Sequence, residues 1–183
     1  IPPDMNRKVC LALLDVAGAP PQADRLARSG QTVYIIGTGK SGILCAAALR
    51  AKLGKDCRIL ASATRQSSID SFKPLGLADE LFVANALNPG ETMDKVAALT
   101  QGAMADLVIN TANVEGTELA SVLACRQGGK VYFFNMATNF QNVANQNTAE
   151  GQCSGCHGQG TGGSYLNQND LDFYVNQRKM PYV

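Results

Sequence analysis

Val33-Tyr34-Ile35-Ile36 runs directly into Gly37-Thr38-Gly39-Lys40-Ser41-Gly42, and an alanine-rich stretch of helical character follows at once. Strand, glycine turn and helix in that order build a backbone that receives a phosphate group. The strand ends in a tight turn that aims the first amides of the helix, and their partial positive charge, at one point. Gly37 permits the turn, Gly39 lets a pyrophosphate approach bare backbone, and Gly42 lets the helix pack close to its strand. Thr38, Lys40 and Ser41 complete the loop. The motif needs a strand before it and a helix after it, and both are present, so it reads as a dinucleotide site.

Outward from this loop, strands and helices alternate. Two short helices are expected at 7–17 and 21–29, broken by Gly18-Ala19-Pro20-Pro21. The spacing predicts strands at 33–36, 58–61, 81–83, 107–109 and 130–134, with helices at 42–53, 68–75, 92–100 and 117–126. The strands are continuous apolar runs, as in a parallel sheet covered on both faces. The expected fold class is α/β, a Rossmann-type doubly wound parallel sheet followed by an irregular carboxyl-terminal tail. In such a sheet the ligand lies beyond the carboxyl ends of the strands. The stretches 37–42, 62–65, 111–113 and 135–138 should therefore converge on one crevice. From about residue 141 Asn, Gln, Gly and Ser dominate, so the expected division is a dinucleotide-binding domain over 1–140 and a tail over 141–183.

Composition narrows the function classes. The chain has 183 residues, a net charge of +1 and 45% hydrophobic residues, enough for one domain with a real core and a short appendage. No Lys/Arg cluster supports a nucleic-acid or membrane-surface partner, and no apolar run reaches the roughly 20 residues of a membrane-spanning helix. The opening Ile1-Pro2-Pro3-Asp4 carries no signal-peptide pattern and reads as the middle of a longer protein, so the chain is expected to be a fragment. Cys10, Cys45, Cys57 and Cys125 are scattered among apolar neighbours, which suits buried thiols in a reducing, cytoplasmic setting.

The residues after the second strand bear on the choice of nucleotide. NAD sites usually place a carboxylate there, to hold the ribose 2′-hydroxyl. Here the sequence is Ala61-Ser62-Ala63-Thr64-Arg65, with no Asp or Glu. Ser62 and Arg65 suit a 2′-phosphate, since guanidinium pairs with phosphate in a forked geometry. NADP is preferred on that basis, with NAD as the alternative and a solvated surface arginine as the plain reading of Arg65. Gly39-Lys40-Ser41 also resembles the end of a nucleoside-triphosphate loop. That motif requires a glycine where Tyr34 stands, and no acidic strand end suited to Mg²⁺ is present.

Several stretches resemble one family, the L-erythro-3,5-diaminohexanoate dehydrogenases of lysine fermentation, which are relatives of the medium-chain dehydrogenase/reductases. They are Leu14-Asp15-Val16-Ala17-Gly18-Ala19-Pro20-Pro21-Gln22, Gly39-Lys40-Ser41-Gly42-Ile43-Leu44-Cys45, Asn113-Val114-Glu115-Gly116-Thr117-Glu118, and Val131-Tyr132-Phe133-Phe134-Asn135-Met136-Ala137-Thr138-Asn139-Phe140. The resemblance implies an NAD(P)-dependent oxidative deamination of a diamino acid, with hydride passing to the cofactor. It also implies that a substrate-binding domain precedes the portion seen here, so this half by itself points to no catalytic acid or base; a homo-oligomer is expected of the full-length protein. It places Thr111 and Asn113 near the nicotinamide ribose, and Asn135, Met136 and Thr138 near the carboxamide. Helix capping is the alternative role for Thr111 and Asn113. The glycine turn is one residue shorter than the family's usual form.

Cys153-Ser154-Gly155-Cys156-His157 carries the pattern for covalent haem c attachment, and Met180 resembles a second axial ligand. An electron-transfer module with a haem-bearing tail, periplasmic if so, is therefore the second reading from sequence. A metal site with His157 and a glycine-rich loop with two free thiols are the others. The visible spectrum of the reduced chain separates them. A sharp haem α-band establishes the electron-transfer module, and a colourless protein removes it.

Overall fold

The computed structural model describes residues 4–14, 16–114 and 116–135. The expected tail over 141–183, with Cys153, Cys156, His157 and Met180, lies outside them, as do Met136 and Thr138. Eleven regular elements appear in chain order: α1 (Arg7–Leu14), α2 (Ala19–Leu26), β1 (Thr32–Ile36), α3 (Lys40–Leu53), β2 (Arg58–Ala63), α4 (Gln66–Phe72), β3 (Glu80–Val83), α5 (Pro89–Thr100), β4 (Ala105–Asn110), α6 (Glu118–Ala124) and β5 (Cys125–Phe133). Short 3₁₀ turns at Val16–Gly18, Gly54–Asp56 and Lys73–Leu75 join some of them.

The five strands form one sheet in the order β3-β2-β1-β4-β5, and every neighbouring pair is parallel. The expected α/β doubly wound architecture is therefore the observed one. Side chains alternate across a strand, and both faces of this sheet are covered. Val33 and Ile35 of β1 join Leu107 and Ile109 of β4 in one layer, against Ala23 of α2 and Cys45, Ala46 and Leu49 of α3. Tyr34 and Ile36 join Leu60 and Val108 in the opposite layer, against Val96 of α5 and Ala120 and Ala124 of α6. This double burial is why β1 reads as an unbroken apolar run.

Most element boundaries differ by a few residues from the sequence expectation, and two are instructive. The first helix stops at Leu14 and continues only as a 3₁₀ turn, rather than running to residue 17. The helix expected over 117–126 ends at Ala124, and β5 starts at once with Cys125 opposite Ala105. Its register then jumps, so that Lys130 faces Leu107. The extra residues form a bulge in which Gly128 has φ +70° and Arg126 pairs with Asp106 at 2.6 Å. A bulge unpairs residues without breaking the strand, and the polar run Arg126-Gln127-Gly128-Gly129 hides the strand's start from an apolar-run reading.

At the end of the sheet away from the glycine turn, Asp79 ties three elements together. Its carboxylate accepts from the Ile59 amide at 2.7 Å and from Lys55 Nζ at 2.9 Å, and it pairs with the Arg50 guanidinium. Burial pushes the Asp79 carboxyl up, but these hydrogen bonds outweigh it and hold it below its ordinary value of 3.8. A depressed carboxylate stabilises the fold above its unfolded-state pKa, and that contribution is lost as pH falls through the lowered value. Asp79→Asn should therefore lower the melting temperature at pH 7, with the gap to the unaltered chain closing as pH drops below about 4. A gap that stays constant across that range contradicts the assignment.

Candidate functional site

Because the strands are parallel, all five end at the same edge of the sheet, and the order reverses between β1 and β4. A doubly wound sheet opens a crevice at that point. β1 passes into Gly37, whose φ of +101° is the left-handed region that favours glycine, and whose N–H donates to the Ser62 carbonyl at 3.0 Å. Thr111, just past β4, clasps the turn. Its backbone N–H donates to the Ile36 carbonyl at 2.9 Å, and its hydroxyl lies 2.9 Å from that oxygen and 3.2 Å from the Gly37 carbonyl. The first turn of α3 sits directly on this junction. A Cβ built on Gly42 would lie 2.0 Å from the Gly37 carbonyl oxygen.

Gly39 behaves differently. It caps α3 with extended backbone, φ −78° and ψ −168°, and a Cβ built on it would meet nothing within 4 Å. Neither strain nor packing within the described residues calls for glycine here. What its missing side chain leaves is open space in front of the first amides of a fourteen-residue helix. Those amides have no intrahelical partner. Among the described residues no side chain caps them, and no acidic residue stands in the first turn. Lys40 is exposed beside them, Ser41 is half-buried, and the buried Thr38 hydroxyl has no partner among the described residues. The arrangement suits an anion.

Past β2 the expected pair separates. Ser62 is buried, and its hydroxyl meets the Tyr34 hydroxyl at 2.7 Å inside the sheet layer. Burial pushes the Tyr34 phenol well above its ordinary range, with the Ser62 bond opposing, so the pair stays neutral. The Ser62 side chain is thus spent in the core, and its carbonyl is what serves the site. Thr64 and Arg65 are exposed at the crevice end of β2, and Arg65 has no ion pair among the described residues.

A polar cluster beyond β4 and β5 was not expected from sequence. Asn110, wholly buried, donates from Nδ2 to the Thr117 hydroxyl and the Ser121 hydroxyl, each at 2.9 Å, and accepts from the Ala112 amide at 3.0 Å. Glu118, also wholly buried, accepts from the Gly116 amide at 2.8 Å and from Asn135 Nδ2 at 3.4 Å. Together they pin both ends of the loop that carries Thr111 and the exposed Asn113. Asn110 was visible in the sequence as a polar residue closing an apolar strand. Nothing in spacing marked Glu118.

Among the described residues, burial disfavours the thiolate form of Cys45, Cys57 and Cys125. Burial pushes Cys45 up to about 12 and Cys57 to about 11. Among the described residues no group of three or more His, Cys, Asp or Glu could hold a metal ion, and no helix is long and apolar enough to cross a membrane.

Comparison with known proteins agrees with this geometry. Over 145 residues the chain is 39% identical to L-erythro-3,5-diaminohexanoate dehydrogenase of Acetoanaerobium sticklandii and 32% identical to that of Fusobacterium nucleatum. Most of this chain is homologous to part of those enzymes. The shared stretch is 79% of this chain but 42% of each relative, so the chain spans less than half the length of the proteins it matches. No family model matches the chain. Among solved structures it resembles mycobacterial Rv1454c complexed with NADPH (TM-score 0.62, 20% identity, 75% of this chain and 42% of that one). It also resembles an alcohol dehydrogenase of Aeropyrum pernix (TM-score 0.58, 19% identity, 73% and 39%). At such identities the likeness is one of fold.

The two inner glycines should respond oppositely to the same substitution. Gly42→Ala forces its methyl into backbone and should cost on the order of 1–3 kcal/mol in chemical unfolding. Gly39→Ala adds a methyl in open space and should cost no more than about 1 kcal/mol. Equal losses contradict the seating of α3 on the turn.

Proposed function

We propose that this chain is the nicotinamide-dinucleotide-binding part of a dehydrogenase acting on a small amine-bearing substrate, with NADP as the preferred cofactor. The observation that carries this reading is the clasped glycine turn at the strand-order reversal, with uncapped helix amides behind an open Gly39. Those amides would hold the diphosphate, and the buried Thr38 hydroxyl would donate to one of its oxygens. Lys40 would add a positive charge at the rim.

Arg65, exposed past β2, would pair with a 2′-phosphate, and the absence of Asp and Glu from 61–65 removes the usual reason to favour the unphosphorylated ribose. Ser62 contributes its backbone carbonyl to the turn. Thr111 acts by fixing the turn, and Asn113 and Asn135 stand on the side where the nicotinamide half would lie. Once bound, the nicotinamide supplies the hydride acceptor. The protein's task here is to hold and orient it. A reducing compartment suits the buried thiols Cys10, Cys45 and Cys57.

The names of the two relatives support 3,5-diaminohexanoate as the substrate, and the sequence resemblance implies its oxidative deamination. Because the chain spans less than half of those enzymes, the full-length protein would bring the substrate-binding residues, and this stretch alone should not turn the substrate over.

NADPH at a hundredfold excess over its dissociation constant should stabilise the chain by about 2.7 kcal/mol, seen as a raised melting temperature. No response to NADPH or NADH contradicts the reading. Gly39→Val should abolish the response while the fold survives, and an unchanged affinity refutes the placement of the diphosphate. Arg65→Ala should weaken NADPH roughly tenfold and NADH little, given the usual size of a charge-assisted bond. Equal losses for both nucleotides remove the 2′-phosphate argument.

A further inference from the structure

The buried Glu118 carboxylate has a consequence for what the site can distinguish. In a doubly wound sheet the ribose next to adenine lies past β2 and the diphosphate lies over the helix amides. The other half of the dinucleotide then runs toward β4 and β5. Asn135 is on that side: the Phe134 amide before it donates to the Asn110 carbonyl at 2.8 Å, which fixes the exit of β5 beside the end of β4. A carboxyl oxygen that faces a side-chain amide accepts from its NH₂. Glu118 Oε2 is taken by the Gly116 amide, and Oε1 faces the Asn135 amide, so it selects that amide's NH₂. The Asn135 oxygen is thereby turned the other way. It is buried and has no donor among the described residues, and a buried acceptor left unmatched is costly.

We propose that Glu118 is a positioning residue that keeps the Asn135 amide oxygen on the side away from it, as acceptor for the carboxamide NH₂ of the nicotinamide ring, so that the site distinguishes a carboxamide from a carboxylate. This rests on the dinucleotide reading above and deepens it. A carboxylate in place of the carboxamide brings no N–H to the Asn135 oxygen and sets two acceptors face to face. Gln at position 118 would reverse the selection. Its oxygen can still accept from the Gly116 amide while its NH₂ faces Asn135, which turns the Asn135 oxygen inward and its NH₂ toward the ligand.

The test is calorimetric titration of the chain with NADP⁺ and with its nicotinic-acid counterpart. The unaltered chain should bind NADP⁺ about tenfold or more tightly than the acid. Glu118→Gln should erase or invert that ratio with little change in melting temperature, since side-chain volume and both hydrogen bonds are kept. Asn135→Ala should bring the ratio to within about twofold while Glu118 stays in place, which separates the acceptor's effect from simple repulsion by the Glu118 charge. A ratio unchanged in both variants overturns this inference and leaves dinucleotide binding standing. A ratio that collapses in Glu118→Gln but persists in Asn135→Ala assigns the discrimination to charge alone and overturns it too. Failure of the unaltered chain to bind either nucleotide overturns the inference and the dinucleotide reading together.

Discussion

The seat of α3 on the end of β1 is the constraint from which the site follows. With no side chain on Gly42, the first turn of the helix comes down onto the Gly37 carbonyl, and Thr111 reaches across from β4 to hold that same turn with its hydroxyl. Three elements that are distant in sequence are locked at one point. The lock sits where the strand order reverses, so the helix amides face the crevice between β1 and β4 rather than a neighbouring strand. Any displacement of α3 would move the charge of its amino terminus away from that opening.

Division of labour among the polar residues follows from burial. Those nearest the sheet serve the fold: Ser62 is matched to Tyr34, Thr111 to the turn, and Asn110 to Thr117 and Ser121. Those one or two residues farther along face the crevice or the solvent, as Thr64, Arg65 and Asn113 do. A polar residue at the carboxyl end of a buried strand thus has its hydrogen bonds claimed by the scaffold, and recognition passes to the loop beyond. Glu118 and Asn135 stand at the boundary, where one side of an amide is committed and the other is not.

The sequence made the architecture legible because both faces of the sheet are covered. Val33 to Ile36 and Leu107 to Ile109 could be read as buried parallel strands only because no solvent-facing residue interrupts them. The glycine loop was legible for the same reason, with each glycine answering a separate geometric demand. The start of β5 was not, since its first residues form a polar bulge whose pairing depends on Asp106, 20 positions earlier. The partners of the Ser62 and Thr111 hydroxyls, Tyr34 and the glycine turn, were not legible. Their positions at strand ends are visible in the sequence, but a hydroxyl's partner is set by what packs against it. Glu118 was hidden most completely, because a buried carboxylate is defined by the Gly116 amide and the Asn135 side chain that meet it in three dimensions.

Amide chemical shifts under titration with NADPH give the most direct check on the central claim. If the amino terminus of α3 receives the diphosphate, the backbone amides of Gly39, Lys40 and Ser41 should move early and farthest, with Thr38 and Thr111 following. Perturbations confined to other faces of the sheet, with those amides unmoved at saturation, would contradict the account.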